Sequence, residues 1–262
     1  MAEQDDREQQ IARIIGAIAQ GYQYNPGWPA QPAPPAPPTA NELRAFFEAR
    51  TSGPGIWKWL HYFDIYERYF SRLRHRPVHV LEIGIYSGGS LDMWRHYFGP
   101  QASLYGVDIE PACRVYEKPG TRIFIGDQAD RNFWQRFRQD VPVLDIVIDD
   151  GGHTPDQQAT TLEELLPHLR PGGVYLCEDI HGAFNMFGCY AQGLVHKLND
   201  FALMPPGFGD PRMQPLVSAA TPFQAAIAAI HFHPFVLAIE RNAQPITGFA
   251  CPKHGTEWQP FL

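Results

Sequence analysis

Val80-Leu81-Glu82-Ile83-Gly84-Ile85-Tyr86-Ser87-Gly88-Gly89-Ser90 is the stretch that decides the fold. An apolar run carries one acid into a glycine-rich turn and then into a helical pattern. Glycines at such a turn let the backbone bend sharply and leave main-chain amides open to a ligand. The spacing, Gly-x-x-x-Gly-Gly, departs from the Gly-x-Gly-x-x-Gly of dinucleotide-binding turns. Working outward, apolar runs at 78–83, 103–107, 122–125, 144–148 and 174–177 are each followed by a glycine or an acid. Helical candidates at 90–97, 131–139 and 156–169 alternate with them, the last closed by Arg170-Pro171-Gly172-Gly173. This alternation predicts an α/β fold, a doubly wound and mostly parallel sheet with helices on both faces. Runs at 230–233 and 235–240, joined through Pro234, predict an antiparallel C-terminal hairpin at the sheet edge and bring the strands to seven.

Upstream of this core, 42–49 and 57–73 read as helices. Farther out, Ile11, Ile14, Ile15, Ile18 and Tyr22 recur at helical spacing over 9–22. Seven prolines between Pro26 and Pro38 then predict an extended linker. Residues 1–40 thus form an arm and 41–262 the main domain, with a lid-like insert around 183–224 that is rich in proline and glycine over 201–224. The arm's helix either docks a second copy, giving a homo-oligomer, or covers the domain. The 262 residues carry 21 Lys plus Arg against 28 Asp plus Glu, a formal charge of −7 with no cationic block. That balance argues against nucleic acid as a partner. No window approaches the roughly 18–20 uncharged apolar residues of a membrane span, and the acidic, polar start predicts neither signal peptide nor membrane anchor. Cys113, Cys177, Cys189 and Cys251 form no Cys-x-x-Cys pair, which fits reduced thiols in a cytoplasmic protein.

Ligands of such sheets bind beyond the carboxyl ends of the strands. Asp108 ends the second run, where an acid accepts hydrogen bonds from ribose hydroxyls. Asp127, in Gly126-Asp127-Gln128, caps a helix or reaches an adenine amine. Asp149-Asp150-Gly151-Gly152-His153 and Glu178-Asp179 end the fourth and fifth runs. Neighbouring strands lie roughly 5 Å apart, so these acids can converge, and a hard divalent cation such as Mg²⁺ or Mn²⁺ would relieve their repulsion. The competing reading is that they cap helices or hold an arginine. His153, with an unperturbed pKa of about 6.5, suits a general base beside such an ion. His181 is a second candidate, and His231 and His233 share a strand face as structural residues.

Taken together, the segments 80–94, Phe124 to Gln128, Ile148 to His153 and Glu178-Asp179 resemble the class I S-adenosylmethionine-dependent methyltransferases. Within that class they are similar to the metal-dependent sugar O-methyltransferases of macrolide biosynthesis and their cephalosporin-hydroxylase-like relatives. The resemblance spans roughly 57–182 plus the tail hairpin. It implies a Rossmann-like sheet, S-adenosyl-L-methionine and Mg²⁺ or Mn²⁺ as cofactors, and a glycoside or sugar diol as small-molecule substrate. It implies that Glu82, Gly84 and Gly88 line the methionine side of the cofactor, with Ser90 and Asp149 in the same set. Asp108 then holds the ribose, and Asp127 and Gln128 lie near the adenine. Asp150, Glu178 and Asp179 are the implied metal ligands and His153 the implied base. One segment departs from the pattern: Thr51-Ser52-Gly53 precedes Lys58 where members carry Thr-Asp-Lys. The function expected is a metal-assisted O-methylation of a sugar hydroxyl. The alternatives are a nicotinamide-dependent oxidoreductase, an iron/2-oxoglutarate hydroxylase and a non-catalytic binding partner.

Overall fold

A computed structural model describes residues 2–27, 41–202 and 216–256. Most of the proline-rich linker and much of the 201–224 insert lie outside the described residues. The chain divides into two compact units, Met1–Thr39 and Ala40–Leu262. The first contributes the helix α1 (Ala2–Gln23), on which Ile11, Ile14 and Ile15 are exposed.

The second unit opens with α2 (Glu42–Ala49), capped by the Asn41 side chain on the Arg44 amide, and α3 (Tyr62–Phe70). The helix expected over 57–73 therefore begins only at Tyr62, because 57–59 run as an irregular strap. Then follow β1 (His79–Ile83), α4 (Gly89–Phe98), β2 (Ser103–Asp108), β3 (Thr121–Ile125), α5 (Arg131–Asp140), β4 (Leu144–Asp149), α6 (Pro155–Leu165) and β5 (Leu169–Cys177). Arg170-Pro171-Gly172-Gly173 lies inside β5, so α6 stops short of the expected 169 and the proline and glycines fall at an irregularity in the β4–β5 pairing. The region read as a lid contains α7 (Met186–Leu198), whose Phe187 and Ala191 are buried. After it come β6 (Leu216–Ala219), α8 (Pro222–Ala226), β7 (Ile227–His233), β8 (Val236–Arg241) and β9 (Gly248–Cys251).

The main sheet has the order β3-β2-β1-β4-β5-β8-β7, parallel through β5, with β8 antiparallel to β5 and β7. β6 and β9 pair in a separate two-stranded sheet that sequence periodicity did not foresee. Strand alternation splits the core. Val80, Ile146, Ile148, Val174 and Leu176 pack toward Tyr66, Phe70 and Trp94 of α3 and α4. Leu81, Val147, Tyr175 and Leu237 pack toward Trp134 and Phe137 of α5 and Leu162 of α6. The strand order reverses between β1 and β4, which are parallel, and this switch point opens a crevice at their carboxyl ends. Among the described residues, no helix is long and apolar enough to cross a membrane.

Two substitutions gauge these forces. Ile148→Ala, at a fully buried position on the central strand, should lower unfolding free energy by about 2–5 kcal/mol in urea titrations. Thr154→Ala, which removes half of the capping box at the start of α6, should cost about 1 kcal/mol.

Candidate active site

At the mouth of that crevice lies a cavity of about 660 Å³. Three glycines form the turn beside it, Gly84 lining the cavity itself, and protein atoms rather than a ligand require all three. Gly84 has φ +80°, and a Cβ there would sit 2.0 Å from the Asp150 carbonyl oxygen. Gly88, at φ +71°, caps α4 in the left-handed conformation, and a Cβ would meet the Tyr116 ring at 2.5 Å. A Cβ at Gly89 would strike the Gly55 carbonyl oxygen at 2.3 Å, so the strap before α3 lies directly on the helix start.

The acids divide by strand parity. Glu82, on the α3–α4 side, is 1% exposed and accepts a hydrogen bond from Ser90 Oγ at 2.7 Å, while its Oε1 lacks a hydrogen-bond partner among the described residues. Asp149, on the opposite face, accepts from Tyr175 Oη at 2.9 Å and Gln128 Nε2 at 3.1 Å. Neither Glu82, Gly88 nor Asp149 lines the cavity, whereas Gly84, Ser90, Asp108, Asp127, Gln128, Asp150, His153, Glu178, Asp179 and His181 do. Asp108 accepts the Tyr86 amide at 3.0 Å and the Glu110 amide at 2.9 Å. Asp127 caps the following turn through the Ala129 amide. The Gln128 amide is used within the protein: Nε2 reaches Asp149 and Thr161, and Oε1 accepts the Gly152 amide at 2.6 Å.

Lys58, which the sequence marks only beside a departure from the family's pattern, has a central place in the structure. Its ammonium, 3% exposed, stands 2.6 Å from Asp150 Oδ2, 3.0 Å from Glu178 Oε2 and 3.7 Å from Glu82 Oε1. Helix α3 completes the grip: Tyr66 Oη donates to Glu178 Oε1 at 2.7 Å and Tyr62 Oη to Asp179 Oδ1 at 2.6 Å, joined there by Trp59 Nε1 at 3.1 Å. The signal available was the four-residue spacing of Tyr62 and Tyr66, which puts two hydroxyls on one helix face beside a lone lysine.

Both oxygens of Glu178 are thus engaged by Tyr66 and Lys58. Asp150 and Asp179 each keep one oxygen turned toward His153 Nε2, at 3.9 Å and 3.5 Å. These three side chains offer ligand atoms within 4.8 Å of one another. His153 and Asp179 both hold φ +56°, a left-handed conformation that non-glycine residues adopt at a cost.

Burial pushes the Glu178 carboxyl up to about 8, with the Asp150 charge adding to it against Lys58 and Tyr66. Burial likewise raises Glu82, opposed by Lys58 and Ser90. For Lys58 burial acts to lower the pKa, but Asp150, Glu178 and Glu82 outweigh it and keep the ammonium charged.

Residues 81–180 match a family described as a methyltransferase domain. This stretch is a class I methyltransferase domain. The relatives include a tetracenomycin 3'-O-methyltransferase of Streptomyces olivaceus, 41% identical over half of this chain and 34% of that protein. Demethylmacrocin O-methyltransferase of Streptomyces fradiae is 40% identical over 49% of this chain and 34% of its own length. A rhamnosyl tetracenomycin-C 2'-O-methyltransferase of Streptomyces olivaceus is 32% identical over 70% of the chain and 50% of that protein. The matches to these curated relatives therefore span half or less of their length. Among solved structures, MycE methyltransferase from mycinamycin biosynthesis, in complex with Mg and SAH, superposes with a TM-score of 0.61 at 28% identity, covering 79% of this chain and 55% of MycE. The match to a methyltransferase domain fits the sheet order and the crevice.

Asp149 offers a measurement within this domain. Burial pushes its carboxyl up to about 7, against hydrogen bonds from Tyr175 and Gln128. An unfolded Asp titrates at about 3.9, so between that pH and 7 the folded state binds the extra proton. The group's contribution to stability then falls as pH rises, by up to about 1.4 kcal/mol per pH unit. Urea unfolding of wild type and Asp149→Asn at pH 5, 6, 7 and 8 should show wild type losing ground to the variant up to pH 7 and then levelling off.

Proposed function

We propose that the protein is an S-adenosylmethionine-dependent, divalent-metal-assisted O-methyltransferase that acts on a sugar hydroxyl of a glycosylated small molecule. The observation that carries this reading is the cavity at the strand ends, with Asp108 on one wall and Asp150, His153 and Asp179 gathered on the other. The relatives' activities support it, as does MycE, whose structures contain Mg and SAH and, in one, mycinamycin VI.

The residues fit both groups. Asp108 retains acceptor capacity for ribose hydroxyls beyond its two amide contacts. Two carboxylate oxygens turned toward one point suit a hard cation such as Mg²⁺ or Mn²⁺. When bound, the sulfonium donor supplies an electrophilic methyl group and the cation acidifies the acceptor hydroxyl. Asp150 and Asp179 would hold the cation, with their second oxygens fixed by Lys58, Tyr62 and Trp59, and Glu178, now engaged by Lys58 and Tyr66, would be the third carboxylate ligand. His153, at the rim of the cavity, takes the hydroxyl proton at Nε2. Exposed Trp57, Tyr86 and Ile109 line the mouth and shield the apolar parts of the acceptor from water. Exposed Ile11, Ile14 and Ile15 on α1 support pairing of that helix with a second copy of the chain, and the free cysteines support a reducing, cytoplasmic setting.

A second role for His153 rests on its place within the 4.8 Å cluster, as a further ligand to the cation. One variant separates the two. With a rhamnosylated polyketide as acceptor, His153→Ala should lower kcat by roughly 10²–10⁴-fold while leaving SAH affinity unchanged in calorimetry. Unchanged Mn²⁺ affinity in the variant supports the base. Weakened Mn²⁺ affinity makes His153 a ligand, and unchanged turnover removes it from the chemistry.

A further inference from the structure

Lys58 poses a question that the proposed chemistry leaves open. Its ammonium is buried at the point where three strand ends meet: Glu82 is the penultimate residue of β1, while Asp150 and Glu178 follow β4 and β5. It is an internal cation among carboxylates, two of which the sequence pattern offers as metal ligands. Glu178 gives it one oxygen and gives the other to Tyr66. Asp150 gives it Oδ2, which leaves Oδ1 on the His153 side.

We propose that Lys58 is a resident counter-cation that assembles the acid cluster without metal and competes with the divalent ion for Asp150 and Glu178. Resting on the metal-assisted reading above, this makes Lys58 a positioning residue that sets how tightly the site loads.

The physical grounds are charge and burial. Carboxylates this close repel one another, and burial removes the water that would screen them. Lys58 meets that repulsion permanently, so the strand ends close around the cavity in the empty protein. The same positive charge, within a few ångströms of the cation's ligands, opposes a second cation. It also holds oxygens that the incoming ion would otherwise use. Asp179, which takes its hydrogen bonds from Tyr62 and Trp59 and makes no ion pair with Lys58, is the carboxylate left to the ion without competition.

The test uses the full-length protein, MnCl₂ as probe, and three variants: Lys58→Met, Lys58→Met/Glu178→Gln, and Lys118→Met as a control. Lys118 pairs with Asp92, away from the cavity. Without metal, Lys58→Met should lower Tm by roughly 6–20 °C, because removal of one partner strands buried charge. The double variant should recover at least half of that loss, which keeps the comparison readable if the single variant folds poorly. Millimolar Mn²⁺ should raise the Tm of Lys58→Met more than that of wild type or Lys118→Met. Calorimetry should give the Lys58→Met protein a Mn²⁺ Kd lower by about tenfold or more. Equal Mn²⁺ affinity in wild type and Lys58→Met, or weaker affinity in the variant, overturns the competition. If Mn²⁺ binds neither protein while SAH binds both, the metal-assisted reading falls and takes the competition with it.

Discussion

A single buried ammonium holds the carboxyl ends of three strands together. Lys58 touches the oxygens of Asp150 and Glu178 and comes within 3.7 Å of Glu82, and two of these acids, Glu82 and Glu178, are almost wholly removed from water. A buried ion pair adds little net stability, yet removal of one partner leaves a charge with nowhere to go. The cluster is therefore better regarded as a constraint on geometry than as a source of stability. It fixes which strand ends converge, and hence where a cavity can open.

The rest of the domain is arranged to deliver Lys58 to that point. Asn41 caps α2. Arg50 then ties the following strap down by donating to the Pro54 carbonyl and pairing with Asp92 of α4. The strap lies so close to Gly89 that no side chain fits between them. From there Lys58 enters the cluster, and Tyr62 and Tyr66 on the next helix secure the acids from the same side. The C-terminal hairpin closes the other flank: the Phe235 carbonyl accepts the Ile180 amide, and the Phe235 ring lies 5.5 Å from that of Trp59. Segments distant in sequence thus meet at Asp179, which like His153 is held at positive φ.

Much of the framework was legible in the sequence, because apolar runs ended by glycine or acid report parallel strands directly. The runs that became β1 to β5 and the tail hairpin were visible in this way, and so was the gathering of acids at their ends. The orientation of each acid was harder to read. Asp149 and Asp150 are adjacent, yet Asp149 shares its strand face with Val147 and meets Tyr175 in the core, while Asp150 lines the cavity. Counting parity from Ile146 and Ile148 separates the two. Gln128, read as an adenine contact, spends its amide on Asp149, Thr161 and Gly152, and no local pattern announces such long-range partners. Lys58 was hidden for a related reason: its three acids lie between 24 and 120 residues away in the chain, beyond the reach of any periodicity. β6 and β9, at four residues each, are too short to leave a periodic signature.

The glycine turn, finally, is a cast of its protein surroundings. Asp150, Tyr116 and the 54–55 backbone fill the spaces beside Gly84, Gly88 and Gly89, so the motif encodes how tightly neighbouring segments dock against the turn. On the function proposed above, the choice of nucleoside would fall instead to the polar side chains of the crevice walls. An engineer wishing to retune donor selectivity would then leave all three glycines alone and redesign Asp108, Asp127 and their neighbours.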